Sequence, residues 1–224
     1  MTAHTSETGD RTLPLRERKK LRTRRELADA ALTLFTERGF DATTLDELVD
    51  AVEVSKRTFF RYFSSKEEVA MAAEAELWDT YVAVFADREI HGPALTTLRE
   101  ALSAAILNLG DDWEQRFMTA RWLAARTPAL RDHSLLSSIT VQRRLVDELE
   151  AKLGGDSRED VRLRLLGELA LSAWRCGASN WVRANRESWT HGGDHGGRTA
   201  LVRHVEEAFD ALPASLALST PDGP

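Results

Sequence analysis

The sequence has few of the features that place a protein in a membrane, a secretory pathway or a disulfide-bonded scaffold. Its single cysteine, Cys176, excludes an intramolecular disulfide. The polar start MTAHTSETGDRT lacks the apolar core of a signal peptide. No apolar run approaches the roughly 18 to 20 residues that would span a bilayer. These absences predict a cytoplasmic protein that is not integral to a membrane.

Patterns typical of β-strands and of catalytic sites are also missing. No segment alternates apolar and polar residues as a strand would, and no internal repeat is present. We find no paired nucleophile and base, and no glycine loop that would cradle phosphate. The loop from His191 to His195 brings imidazoles and a carboxylate together, but a glycine-rich connection explains it without a metal. Cys176 is expected to be a core residue rather than a redox sensor. We therefore expect no enzyme activity, no metal and no cofactor.

What the sequence does contain is an uneven distribution of charge. The net charge is −6, yet residues 1–66 carry 13 Lys/Arg against 11 Asp/Glu, whereas the remainder carries 17 against 25. The run RERKKLRTRR at residues 16–25 has seven bases and one acid. Such a concentration of positive charge is what contact with nucleic-acid phosphates requires. The alternative for this run is a solvated helix start or tail.

Helical signals run through the whole chain. Apolar residues recur at three- and four-residue spacing, and the intervening segments HGP, Thr127-Pro128, GGDS and HGGDHGG have turn chemistry. Thr44 with Glu47, and Ser65 with Glu68, have the spacing of capping boxes at helix starts. The helix that begins after Ser65 is expected to run without interruption past Trp78. The sequence therefore predicts an all-α fold.

The segment VSKRTFFRYFSSKEE, residues 54–68, interleaves aromatic and basic side chains. On a helix, Phe59 and Phe63 face inward, and the outward face holds Lys56, Arg57, Phe60 and Arg61. A capped helix, a short turn and this basic helix have the organisation of a helix-turn-helix, whose second helix enters the major groove of DNA. Arginine, lysine and an apolar ring suit guanine, phosphate and the thymine methyl, respectively. The alternative is a small helical bundle with a basic face.

The run TRRELADAALTLFTERGFDATTLDELVDAVEVSKRTFFRYFSSKEEV, residues 23–69, resembles the DNA-binding domain of the TetR family of bacterial transcriptional repressors. The resemblance implies a homodimer with an N-terminal DNA-binding domain and a larger C-terminal domain that binds a small inducer. Glu53 and Phe60 depart from the family pattern, which usually has glycine and often tyrosine there. The residues expected to contact DNA are Arg24, Thr44, Ser55, Lys56, Arg57, Thr58, Phe60, Arg61, Tyr62 and Lys66.

With this resemblance, the chain divides into four expected segments. Residues 1–15 are predicted to be a disordered tail, and residues 16–66 a three-helix helix-turn-helix domain. Residues 67–213 are predicted to form the ligand-binding and dimerisation domain, followed by a flexible tail at residues 214–224. The runs FMTARWLAARTPALRDH and LALSAWRCGASNWV resemble the branch of the family whose C-terminal domains bind acyl-CoA-like ligands.

All six tryptophans lie after the helix-turn-helix segment. Aromatic area beside arginine would suit an apolar ligand that carries an anionic group, although a role in the core is the alternative for each tryptophan. The residues expected to contact a ligand are Trp78, Trp113, Phe117, Met118, Arg121, Trp122, Trp174 and Arg175.

One face of the helix predicted from Ser157 combines small and aromatic residues that permit close helix approach. Together with the final helix, this face could form a four-helix dimer interface around a two-fold axis, or it could be core. The residues expected at the interface are Leu166, Ala170, Ala173, Gly177, Ala178 and Trp181, and Trp174 belongs to either surface.

These observations favour a ligand-responsive dimeric transcription factor, most simply a repressor that a small molecule releases from a palindromic operator. Two alternatives stay open at this point: an enzyme that its basic helices merely localise, and a helical interaction protein that binds no DNA.

Overall fold

A computed structural model describes residues 14–185 and 196–219, and these residues form ten helices and no strand. The prediction of an all-α fold is confirmed. The helices are α1 Leu15–Arg38, α2 Leu45–Ala51, α3 Lys56–Phe60, α4 Lys66–Ala70, α5 Ala72–Ala86, α6 Ala94–Asn108, α7 Trp113–Ala124, α8 Pro128–Leu153, α9 Val161–Ala184 and α10 Gly197–Leu216.

The chain folds into two compact units. Among the described residues, the first comprises those up to Glu76 together with Gly110–Ser137, and the second comprises Leu77–Leu109 and those from Ser138 onward. The unit that contains the helix-turn-helix is thus larger than the expected segment 16–66. It takes in α4, α7 and the first part of α8.

The first unit is built around one apolar core. Leu27, Ala31 and Phe35 of α1 are buried, and so are Phe59 and Phe63 of the segment 54–68. The same core includes Ala120, Leu123 and Ala124 of α7 and Leu130 of α8. Helix α7, which the sequence predicted to be part of the C-terminal domain, therefore packs with the helix-turn-helix.

In the second unit, α9 and α10 pack closely because Gly177 has no side chain. A Cβ atom at Gly177 would lie 2.6 Å from Cα of Val205 and 2.7 Å from the carbonyl oxygen of His204. Val205 is fully buried at this crossing. The side chains of α6 contact α10 as well, since Arg99 donates to Asp210 at 2.6 Å and Ser103 donates to Glu206 at 3.2 Å.

Two helix boundaries differ from the predictions. The helix that begins at Lys66 is interrupted at Met71, where φ is −98° and ψ is 16°, and the sequence around it contains no glycine or proline that would signal a break. Helix α10 continues to Leu216 and includes Pro213, so residues 214–216 belong to a helix rather than to a tail. Within the described ranges, no helix is long and apolar enough to cross a membrane.

Candidate nucleic-acid interface

Helix α2 starts at the predicted capping box. The Thr44 hydroxyl accepts from the amide of Glu47 at 3.2 Å, and the Glu47 carboxylate accepts from the amide of Thr44 at 2.8 Å. The Thr44 amide holds the pKa of Glu47 below its usual range, with help from the Thr44 hydroxyl and Arg38. The Thr44 hydroxyl also donates to Glu47 at 2.9 Å. The expected contact of Thr44 with DNA would therefore share a hydroxyl oxygen that already caps α2.

The turn between α2 and α3 contains a strained residue. Glu53 has φ of 52°, and it is the one non-glycine residue with positive φ among those described. The departure from glycine noted in the sequence therefore falls on a position that needs the left-handed region. For a residue with a Cβ, this conformation costs roughly 1 to 2 kcal/mol. The amide of Val54 donates to the carbonyl of Val49 at 3.0 Å and closes the turn.

Helix α3 presents the two faces that the sequence predicts. Ser55 caps it by accepting from the amide of Thr58 at 3.1 Å. Phe59 and Phe63 are buried against the core, whereas Phe60 is 55% exposed. The carbonyl of Phe59 accepts from the amides of both Tyr62 and Phe63, so a helical turn continues past Phe60.

The cations of this outward face differ in their partners. Lys56 pairs with Asp46 of α2 at 2.7 Å. Arg61 donates to the Tyr62 hydroxyl at 3.2 Å and lies over its ring. Arg57 is exposed and makes no side-chain hydrogen bond or ion pair with a described residue. Arg57 is therefore the cation of this face whose side chain would break no existing bond on contacting a base edge.

Lys66 has a structural role that the sequence does not indicate. Its ammonium group donates to the carbonyl oxygens of Phe40 at 2.8 Å and Thr43 at 2.5 Å. It also lies 4.6 Å from the centroid of the Phe40 ring. Lys66 thereby ties the start of α4 to the turn between α1 and α2. Its expected contact with DNA remains a prediction, and only the third N–H of the ammonium is left for that contact.

The predicted capping box at Ser65 forms in part. Ser65 accepts from the amide of Glu68 at 3.1 Å, as expected. The Glu68 carboxylate, however, accepts from the amide and the hydroxyl of Ser64, both at 2.6 Å, instead of from Ser65. The residue before the cap therefore completes the reciprocal bond.

The remaining DNA-contact candidates lie in the same unit. Arg24 of α1 lies 5.2 Å from the centroid of the Phe63 ring, just beyond the end of α3. The Thr58 hydroxyl is 3.1 Å from that of Ser55. The structure thus gathers all ten predicted residues into the first unit.

The ligand candidates on α7 lie in the first unit, within and around its core. Trp113 is fully buried, stacks on Phe117 at 4.7 Å and donates to the carbonyl of Ala73 at 2.7 Å. Met118 is buried, and Arg121 pairs with the buried Glu74 at 3.3 Å. Trp122 is 39% exposed, and Arg126 lies 4.1 Å from its ring centroid.

The other ligand candidates lie in the second unit. Trp78 and Trp174 are buried and meet edge to face, with ring centroids 5.4 Å apart. Arg175 is exposed and donates to Ser138 at 3.1 Å and to Ser172 at 2.9 Å. The predicted set is therefore divided between two units.

The residues predicted at the dimer interface are mostly buried inside one protomer. Ala170, Ala173, Gly177, Ala178 and Trp181 are buried, and Leu166 is half-buried.

Cys176, by contrast, is exposed, so its predicted place in the core is wrong. It lies on the side of α9 opposite the buried stripe. The metal hypothesis for His191 and His195 falls outside the described residues, and within them no cluster of metal-ligating side chains occurs.

Comparisons with known proteins agree with this architecture. Residues 27–73 match the family described as bacterial regulatory proteins, tetR family. The HTH-type transcriptional regulator TcmR of Streptomyces glaucescens is 31% identical over 208 residues, covering 90% of this chain and 88% of that protein. The biofilm operon icaADBC HTH-type negative transcriptional regulator IcaR of Staphylococcus epidermidis is 39% identical over 44 residues, covering 20% of this chain and 24% of that protein.

A solved structure from Syntrophomonas wolfei str. Goettingen, described as a TetR-family transcriptional regulator, is similar in fold. It matches 90% of this chain and 100% of that chain with a TM-score of 0.56 and 14% identity.

Proposed function

Because this chain belongs to the TetR family of bacterial transcriptional regulators, we propose that it is a dimeric repressor that a small molecule releases from a palindromic operator. The inducer is an apolar or acyl-CoA-like compound, and the protein acts in the cytoplasm on double-stranded DNA. Membership of this family makes the chain a DNA-binding regulator rather than an enzyme. One relative, IcaR, is a negative transcriptional regulator by name, which favours repression.

The observation that carries the proposal is the outward face of α3. Phe59 and Phe63 anchor the helix in the core, so Arg57, Phe60 and Arg61 are held outward on a rigid element. An arginine can bond two acceptors of guanine at once, and an exposed ring can contact the thymine methyl. Phe60 is 55% exposed beside the two arginines, so its ring is open to such a contact.

The test is binding of the purified protein to a palindromic duplex selected from a random pool. Arg57→Ala is expected to weaken specific binding by about 1 to 3 kcal/mol and to relax the preference at one position. Arg61→Ala is expected to do the same if its bond to Tyr62 yields to a base. Unchanged affinity in both variants, with helix content preserved, would remove α3 from the interface. Failure of the wild-type protein to prefer any duplex would overturn the function itself.

The proposed dimer uses the outward sides of α9 and α10. Since the predicted small residues already pack inside the protomer, the partner must meet the next positions around α9. Val161 and Leu165 are each about half exposed, and Cys176 lies eleven residues after Leu165, on the same side of the helix. Leu165→Glu is expected to yield monomers by sedimentation velocity, whereas a dimer of unchanged affinity would exclude this face.

The proposed inducer site lies in the second unit, near Trp78 and Trp174. Tyr81, three residues after Trp78, is fully buried, and its hydroxyl has no hydrogen-bond partner among the described residues. Burial raises the pKa of this phenol. A buried hydroxyl without a partner costs about 1 to 3 kcal/mol, so a ligand that offers it an oxygen acceptor would recover that free energy.

An inducer that weakens operator binding must itself be bound more weakly, by the same factor, when operator is present. If an inducer weakens operator binding by about 1 to 3 kcal/mol, operator DNA weakens inducer binding equally. A long-chain acyl thioester is therefore expected to quench tryptophan fluorescence, less so in Trp174→Phe, and to bind more weakly when operator is present. Equal affinities with and without operator would disprove the coupling.

A further inference from the structure

The first three turns of α1 extend beyond the core of the first unit. The first buried residue of α1 is Leu27, so residues 15–26, about 18 Å of helix, bury no apolar side chain. Leu15 is 64% exposed and Leu21 is 49% exposed. This stretch nevertheless carries seven bases against the two acids Glu17 and Glu26.

Some of these bases are already engaged within the protein. Arg24 lies over the Phe63 ring, Arg25 bonds to Asp112 of α7, and Arg22 pairs with Glu26 at 3.4 Å. Arg16, Lys19 and Lys20 are exposed and make no side-chain hydrogen bond or ion pair with the described part of the chain. Spaced by three and four residues, these three cations share one face of the helix.

That face forms one wall of a groove of about 820 Å³. Thr23 lies on the same wall, and the opposite wall consists of Arg61 and Tyr62, which directly follow α3. Four cations therefore line the groove against a single carboxylate, that of Glu17. Arg61 belongs both to this groove and to the outward face of α3, so the two surfaces are continuous.

We propose that this groove holds the sugar-phosphate backbone of operator DNA, beside the bases that α3 reads. The inference rests on the proposed DNA-binding function and extends its contact surface from the helix-turn-helix to the start of α1. Like charges at i and i+4, as at Arg16 and Lys20, destabilise an isolated helix, and a polyanion removes that repulsion. A stretch of 18 Å corresponds to about five base pairs at 3.4 Å per pair, which sets the added length of DNA contact.

The decisive variant is K19A/K20A in the full-length protein, with R131A/R143A as its control. The control removes the same charge from two exposed arginines of α8. Affinity is measured against salt concentration on the selected duplex, once trimmed to its core and once with about five extra base pairs on each side. K19A/K20A is expected to lower the slope of log affinity against log salt by about two for each bound protomer. The loss should be the same on specific and unrelated sequences, and the control should retain the wild-type slope.

The wild type and the control are expected to bind the extended duplex more tightly than the trimmed one. K19A/K20A is expected to bind the two duplexes equally. An unchanged salt slope in K19A/K20A would overturn the inference while leaving the proposed function intact, because α3 would still select the duplex. A wild-type protein that prefers no duplex would instead refute the proposed function.

Hydroxyl-radical footprinting of the wild type tests the groove without any variant. Protection is expected to extend about five base pairs beyond the bases that α3 selects on each side, and a shorter footprint would overturn the inference. This measurement decides the matter even if K19A/K20A loses helix content by circular dichroism.

Discussion

The recognition helix α3 and the long helix α9 both carry clear helical stripes, but the two stripes were not equally informative. In α3 the outward face bears charge, and the structure orients it as the sequence predicts, with Phe59 buried and Phe60 exposed. In α9 the stripe of small and aromatic residues was expected either to meet a second protomer or to lie in the core. The structure packs it against α10 of the same chain, around Gly177.

A charged face and an apolar stripe differ in how much they reveal about their surroundings. Charged side chains are costly to bury, so a charged face identifies itself as outward. An apolar stripe shows only that something covers it, because burial by the same chain and burial by a partner remove the same area from water. The predicted interface was therefore ambiguous in a way that the DNA-facing surface was not.

The sharpest way to examine α3 is to compare two adjacent phenylalanines. Phe59→Ala is expected to destabilise the protein by about 3 to 5 kcal/mol, because it opens a cavity in the core of the first unit. Phe60→Ala is expected to change stability by less than about 0.5 kcal/mol and to weaken operator binding instead. Urea denaturation measures the first effect, and duplex binding measures the second. Similar stability losses in the two variants would contradict the two-faced description of α3.

On α9 the corresponding test is to enlarge a glycine at the helix crossing. Gly177→Val is expected to destabilise by up to about 3 kcal/mol, since its Cβ would meet backbone atoms of α10 that cannot rotate away. Gly167→Ala serves as the control, because there a Cβ would meet the side chains of Val146 and Gln142 at 3.2 and 3.3 Å. Thermal unfolding compares the two. If Gly177→Val changed only the monomer–dimer equilibrium, the stripe would belong to the partner after all.

The smallest expected effect concerns the turn before α3. Glu53→Gly relieves the cost of φ at 52°, but glycine also loses more chain entropy on folding. The net gain is expected to be about 0.5 kcal/mol in chemical denaturation. Glu53→Ala provides the control, because it removes the carboxylate and retains the strained Cβ. A gain in both variants would assign the effect to charge rather than to φ.

The features that the sequence predicts best are those set by local interactions. The capping residues Thr44 and Ser65, and the inward position of Phe59, follow from spacings of three to five residues. The break at Met71 has no such local signal. The role of Lys66 depends on carbonyl groups 23 and 26 residues away, which no periodicity can indicate.

The sequence is enough to predict that the protein is helical, where its recognition helix lies and which side of that helix faces outward, because helix caps, periodicity and charge act over a few residues. The packing of α7 with the helix-turn-helix, the contact of the α9 stripe with α10 and the exposure of Cys176 are visible only in the folded chain. These outcomes depend on which apolar surfaces come together across long stretches of chain. Burial of apolar area is not directional, so a single helix does not specify its own partner.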